Sequence, residues 1–331
     1  MKINRQVTLK FTPEAEPTVD NFALVETSIP QLTPGKVLCK TQYLSLDPYM
    51  RSQMAGRHMS GSISPGDVLR GETVSIVVES TIAEYKVGDV VRCFGGWQQY
   101  SVHCTSQLTK VSDNMQPVSY ALSVLGMPGL TAYAGLIWQA RPKAGDIVVI
   151  PAATGAVGAT AGQLAKNYGC KVIGIAGTDE KCAYAKSQLG YDECINRRTE
   201  NLAERLDALC PDGINIYFDL VGGEMLNIVS ERLAVNARVI LCGLMAEYNQ
   251  KNRIGGPPPG FWIRARATVY GLVVYDFEHR RDEFIDVCLP LVKAGKLKMQ
   301  EDIADGLDKA PEAFCRLMQG SNMGKVIVKV S

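Results

Sequence analysis

The stretch from Ile147 to Lys166 opens on the branched apolar residues Ile147, Val148, Val149 and Ile150 and runs through Pro151, Ala152, Ala153 and Thr154 into Gly155, Ala156, Val157 and Gly158. A continuous apolar run of this kind predicts a strand covered on both faces, as in parallel sheets. The spacing Ala152-x-x-Gly155-x-x-Gly158 keeps side chains away where a backbone approaches a pyrophosphate. The small-residue helix that follows, read as 156–168, offers free N–H groups and a partial positive charge at its N-terminus. Together these features predict a dinucleotide-binding turn. Alanine stands where the usual fingerprint has its first glycine, and a tight strand-to-helix turn also occurs in α/β proteins that bind no nucleotide.

The texture around that turn extends it into a fold. Strands are predicted at 145–150, 171–176, 215–220, 238–242 and 268–274, alternating with helices at 156–168, 179–188, 200–209, 224–233 and 281–294. Repeated βα units imply an α/β, doubly wound parallel sheet with right-handed crossovers. The first third reads instead as β, with strands at 7–11, 36–41, 68–78 and 89–94 separated by turn signals such as Pro34-Gly35, Pro65-Gly66 and Gly88-Asp89. Short strands at that spacing predict a small barrel or sandwich. The tail 324–330 alternates like a half-exposed strand and is expected to rejoin this β domain.

At 331 residues the chain has room for about two domains. A formal charge of +1 gives no reason to expect nucleic acid or an anionic membrane as partner, so a small-molecule ligand fits better. The ten cysteines are scattered, with no CxxC element, which argues for reduced thiols in a cytoplasmic protein rather than a disulfide framework. The start, Met1 to Gln6, lacks the apolar core of a signal peptide. Only 147–165 approaches membrane-spanning length, and its proline and glycines fit a strand, a turn and a helix better than one span.

Further motifs are Tyr43-Leu44-Ser45-Leu46-Asp47-Pro48-Tyr49-Met50-Arg51, Gly126-Met127-Pro128-Gly129-Leu130-Thr131-Ala132-Tyr133 and Cys242-Gly243-Leu244-Met245-Ala246-Glu247-Tyr248-Asn249. With the glycine turn and in this order, they make the chain resemble the zinc-independent medium-chain reductases of the prostaglandin reductase and 2-alkenal reductase type, over nearly its whole length. The resemblance implies a GroES-like barrel, 1–122 with 303–331, split around a Rossmann NADP-binding domain at 123–302. It also implies a homodimer, and NADPH-dependent saturation of the C=C bond of α,β-unsaturated ketones and aldehydes.

Zinc dehydrogenases of the wider superfamily have a Gly-His-Glu element and a cluster of four cysteines. Here Gly71-Glu72 follows Arg70, the cysteine cluster is missing, and His58, His103 and His279 have no paired spacing, so no metal is expected. Cofactor choice turns on the end of the second Rossmann strand, where NAD sites usually place a carboxylate. Residues 173–178 supply none, and Asp179 lies slightly late. By resemblance Lys181 is a 2′-phosphate ligand, the favoured reading; the alternative is an exposed lysine in a helix's first turn. Arg197, beside Arg198, stands where relatives often have tyrosine, and reads either as a phosphate contact or as a solvated basic loop. Leu220 stands where relatives commonly have asparagine.

The resemblance gives the dinucleotide contacts to Gly155, Ala156, Val157 and Gly158, with Cys242, Gly243, Leu272, Val273, Val274 and Asn322 around the nicotinamide. Cys242 itself reads as a packing residue rather than a nucleophile. Hydride addition to an enone pushes negative charge onto the carbonyl oxygen, and Tyr248 is the donor expected to meet it, with the cofactor ribose hydroxyl sharing the role and water as a proton source. Tyr49, Met127, Tyr248 and the loop 253–261 are expected to shape the substrate pocket. The rival readings are a zinc-independent quinone reductase and a catalytically silent NADPH-binding protein.

Overall fold

The computed structural model describes residues 3–251 and 255–331, which fall into two compact units: Met1–Ser123 with Glu301–Ser331, and Val124–Gln300. The first unit opens with a hairpin of β1 (Ile3–Leu9) and β2 (Phe22–Ser28), antiparallel from Ile3 opposite Ser28 to Leu9 opposite Phe22. Next come β3 (Val37–Ser45), the single-turn helix α1 (Met50–Met54), β4 (Thr73–Ser80), β5 (Val90–Cys93), β6 (Tyr100–His103) and β7 (Thr109–Lys110). β3 is the hub, antiparallel to both β4 and β6. Its inward residues Val37 and Cys39 join Val77, Val91, Cys93 and Leu108 in the barrel core.

In the second unit α2 (Met127–Tyr133) precedes β8 (Ile147–Pro151), α3 (Ala156–Asn167), β9 (Lys171–Ala176), α4 (Asp179–Leu189) and β10 (Glu193–Asn196). There follow α5 (Leu202–Leu209), β11 (Ile214–Asp219), α6 (Gly223–Ser230), β12 (Leu233–Leu241), α7 (Pro259–Ala265), β13 (Thr268–Gly271) and α8 (Arg281–Lys293). The strands form one parallel sheet in the order β10-β9-β8-β11-β12-β13, the doubly wound arrangement expected from the βα alternation. Val149, Ile173, Ile175, Tyr217 and Val239 fill its core at 0–1% exposure, the reason those strands read as unbroken apolar runs. The chain then returns to the first unit as β14 (Glu301–Asp305), α9 (Ala310–Gln319) and β15 (Lys325–Lys329). β15 pairs parallel with β14 and antiparallel with β3, as expected of the tail. Phe314 of α9 packs edge-on against Phe22 and Trp97, 6.2 and 5.7 Å between ring centroids.

Several boundaries differ from the sequence reading. The strand expected at 268–274 stops at Gly271: the Leu272 N–H still reaches the Leu241 carbonyl at 3.0 Å, but the chain then winds into a 3₁₀ turn at Val274. The strand expected at 68–78 starts only at Thr73; Val68 makes a lone bridge to Thr8, and Leu69 hydrogen-bonds Val7 and Trp97 instead of a regular ladder. The helix expected at 224–233 ends at Ser230, because Leu233 already opposes Ile214 as the first residue of β12.

Candidate active site

Strand order reverses between β8 and β11, and ligands of doubly wound sheets bind outside the carboxyl ends of the strands at such a switch. The strand ends there are Pro151, Asp219 and Leu241. After β8 the backbone turns through Ala152 at φ +49°, and the Gly155 N–H closes the turn on the Ala152 carbonyl at 2.8 Å. Gly155 is the N-cap of α3 and no side chain caps it, so the N–H groups of its first turn, at Ala156, Val157 and Gly158, face no competing side-chain acceptor. A Cβ on Gly158 would lie 2.4 Å from the Ala152 oxygen and 3.0 Å from its carbonyl carbon, so only glycine fits. The Tyr191 hydroxyl donates to the Gly158 carbonyl at 2.8 Å and ties the turn to the sheet. An uncapped helix start without Cβ atoms in front of it fits a pyrophosphate.

Ala152, the departure from the fingerprint, occupies the left-handed region that glycine enters without strain. Ala152→Gly should therefore stabilise the protein by about 0.5–1 kcal/mol, a rise of about 1–3 °C in Tm by calorimetry. A fall in Tm would show that the turn's conformation is not the strained element.

At the end of β9 the chain reaches Gly177. A Cβ there would sit 3.7 Å from Arg198 Nε and 3.9 Å from Arg197 Nη2, so both guanidiniums lie over this glycine. Lys181 is in the first turn of α4, where its N–H is capped by the Thr178 hydroxyl at 3.2 Å. Asp179 does not take the place of a ribose-binding carboxylate: its Oδ1 accepts from Asn196 Nδ2 at 2.7 Å. The strand end thus presents cations where an NAD site would present an anion, and the guanidinium fork suits a phosphate.

Sequence reasoning passed over Asp219, the hub of the next strand end. It is fully buried, and its Oδ1 accepts from the Tyr217 hydroxyl at 3.0 Å, Val221 N–H at 3.0 Å and Gly222 N–H at 2.9 Å. Its backbone carbonyl accepts from the N–H groups of Cys242 and Gly243 at 3.0 and 3.2 Å. Burial raises its carboxyl pKa, with the bonds from Gly222, Val221 and Tyr217 opposing. The available signal was an acidic residue closing an apolar strand just before Val221-Gly222-Gly223, where Gly222 has φ +70°.

The loop after β12 is knitted to that turn, with Ala246 N–H on the Val221 carbonyl at 3.0 Å. Tyr248 lies in this loop, and its phenolic oxygen accepts from the Leu244 N–H at 3.3 Å, which leaves its own proton free to donate elsewhere. Burial raises the Tyr248 pKa above 10.0; the Leu244 bond opposes, and Cys242, Glu247 and Asp219 push it further up. The Cys242 thiol is pushed up to about 12 by burial and by Asp219, so it is not a thiolate nucleophile at neutral pH.

The remaining expected residues divide between the two units. In the second, Leu272 is a core residue, while Val273 and Val274 are half-buried and precede the 3₁₀ turn. Met127 opens α2, and its carbonyl accepts from the Thr131 hydroxyl at 2.8 Å. Of the loop 253–261, Arg253 and Ile254 lie outside the described residues and 259–261 form the first turn of α7. In the first unit Asn322 is buried, with Nδ2 on the Gly324 carbonyl at 2.8 Å, and Tyr49 is the N-cap of α1. Among the described residues no three or more His, Cys, Asp or Glu side chains gather as a metal site, and the Glu72 carboxylate is held by Arg92.

Family models for the N-terminal domain of oxidoreductase and for zinc-binding dehydrogenase match residues 5–111 and 156–292. The chain is 41% identical to the NADPH-dependent curcumin reductase of Escherichia coli, over 99% of this chain and 97% of that one. It is 39% identical to the 2-alkenal reductase (NADP(+)-dependent) of Nicotiana tabacum, over 99% and 98%. The crystal structure of CurA in complex with NADPH from Vibrio vulnificus superposes with a TM-score of 0.94 at 40% identity, covering 99% of both chains. With the reversed strand order and the glycine cradle, these similarities show that the chain belongs to the zinc-independent medium-chain dehydrogenase/reductases, an oxidoreductase family, in the group of the prostaglandin and 2-alkenal reductases.

Proposed function

We propose that this protein reduces the C=C bond of α,β-unsaturated ketones and aldehydes with NADPH, and that Tyr248 is the donor to the enolate oxygen. The observation that carries the reading is the Tyr248 hydroxyl, which accepts from the Leu244 N–H and keeps its proton for another acceptor, in the loop beyond the carboxyl end of β12. NADPH, when bound, supplies the hydride. Gly155, Ala156, Val157 and Gly158 would hold its pyrophosphate, Lys181, Arg197 and Arg198 its 2′-phosphate, and the chain at Cys242, Gly243 and 272–274 its nicotinamide. As negative charge builds on the substrate carbonyl, the neutral phenol donates to that oxygen without first needing a compensating anion. Removing one such donor typically costs about 3–4 kcal/mol of transition-state stabilisation. Asp219 braces both backbone segments that frame the donor, so the phenol stays aimed as charge develops.

Assays with 1-octen-3-one, a 2-alkenal and a quinone, following NADPH oxidation, test the assignment. Turnover of the quinone alone would replace it with quinone reduction, and turnover of none would leave a silent NADPH-binding protein. Lys181→Ala should raise KM for NADPH more than about tenfold and leave KM for NADH nearly unchanged, since only NADPH has the phosphate. Removing both guanidiniums, Arg197→Ala with Arg198→Ala, should act in the same direction; equal effects on both cofactors would rule out the phosphate role. The resemblance also carries a homodimer, and among the described residues β13 is an edge strand of the sheet, open to a partner; light scattering of the purified protein measures it.

A further inference from the structure

Lys325 is 2% exposed, unusual for a lysine, and its surroundings identify what it holds. Its Nζ donates to the Leu46 carbonyl at 2.6 Å and to Asp47 Oδ1 at 2.7 Å; Asp47 Oδ2 accepts from the Ser45 hydroxyl. The β15–β3 ladder ends where Ile327 opposes Ser45, with one more bond from Leu46 N–H to the Val326 carbonyl at 3.2 Å. Lys325 reaches past the end of that ladder and grips the residues at which the chain leaves β3 and turns through Pro48 into α1. Tyr49 is the N-cap of α1, and its ring packs on His58 with centroids 4.9 Å apart.

Stability alone is a poor reason for such a pair. Desolvating two charges roughly cancels their attraction, and replacing a buried pair by neutral groups is often close to neutral. What the pair does supply is geometry, because a carbonyl and a carboxylate are pinned to one nitrogen, and hydrophobic packing gives no such directional constraint. We propose that Lys325 is a positioning residue that acts through Asp47 to hold the Pro48–Tyr49 turn, and thereby Tyr49, in the orientation that enone binding requires. The inference rests on the enone-reductase reading, in which Tyr49 contacts the substrate.

The test removes both charges together, Asp47→Asn with Lys325→Met, so that no uncompensated ion is buried. In this variant KM for 1-octen-3-one should rise about tenfold, with kcat within about threefold and NADPH affinity by fluorescence titration within about twofold of wild type. Amide hydrogen exchange across 46–54 should speed up while exchange across the β15–β3 ladder does not. In a Tyr49→Leu background the same pair of changes should alter KM by less than about twofold, because the residue acted upon is already gone. An equal rise in KM in both backgrounds, or wild-type KM and exchange in the pair-deleted protein, overturns the proposal. Should that protein not fold, Ser45→Ala, which removes only the bond to Asp47 Oδ2, should raise KM by about two- to fourfold; no rise overturns the proposal equally. If wild-type protein reduces no enone, the functional reading fails, and hydrogen exchange still decides whether Lys325 holds the turn.

Discussion

Tyr248→Phe should lower kcat for an enone by about 10²–10³-fold while leaving the Kd for NADPH unchanged. The magnitude is that of one hydrogen bond made in full only when the carbonyl oxygen becomes an enolate, about 3–4 kcal/mol. Phenylalanine keeps the ring and its packing, so the loss isolates the hydroxyl. Because burial raises the Tyr248 pKa above 10.0, the phenol stays protonated through neutral and mildly basic pH. The wild-type enzyme should accordingly show no alkaline loss of kcat from Tyr248 below about pH 10. A residue that only packed on the rim would behave differently, with KM rising and kcat preserved. Full turnover by the phenylalanine variant would transfer the donor role to the ribose hydroxyl or to water.

Gly158→Ala should abolish measurable NADPH binding and lower Tm by several degrees. The added carbon would meet the Ala152 oxygen at 2.4 Å and the Ala153 Cα at 3.2 Å, and these are backbone atoms that cannot rotate aside. Relief requires α3 to move away from the end of β8, which also breaks the bond from the Tyr191 hydroxyl to the Gly158 carbonyl. The cost is that of overpacking, about 1–3 kcal/mol, and the displaced helix start no longer presents its N–H groups to the pyrophosphate. Fluorescence titration with NADPH and a calorimetric scan of the same sample read both effects. Wild-type affinity in this variant would show that the cradle is not the pyrophosphate site.

Legibility followed the range of the interactions. The Rossmann strands were readable because residues buried on both faces leave an unbroken apolar run, as at Ile147–Pro151. β2 was not, because only one end of it is covered: its burial falls away after Phe22, and Glu26, Thr27 and Ser28 carry no periodic signal. The strand extending to Val274 was over-read for the opposite reason. Leu272 is buried like a strand residue, but it earns that burial beside the sheet, close over Gly135, after the ladder has ended.

The same division runs through the site. The glycine spacing, the missing carboxylate after β9, the basic residues Lys181, Arg197 and Arg198, and the absence of zinc-ligand spacing are local facts that the chain states by itself, since each depends on residues within one turn or one βα unit. They determined a doubly wound nucleotide domain and its cofactor class. Only the tertiary structure decided that Asp179 is engaged by Asn196, that Asp219 braces two loops at once, that the Tyr248 proton is free, and that Lys325 meets Asp47 across most of the chain length. Each of these is a hydrogen bond whose partner is chosen by packing: a buried polar group takes whatever donor or acceptor the fold brings to it, and sequence spacing does not encode that choice.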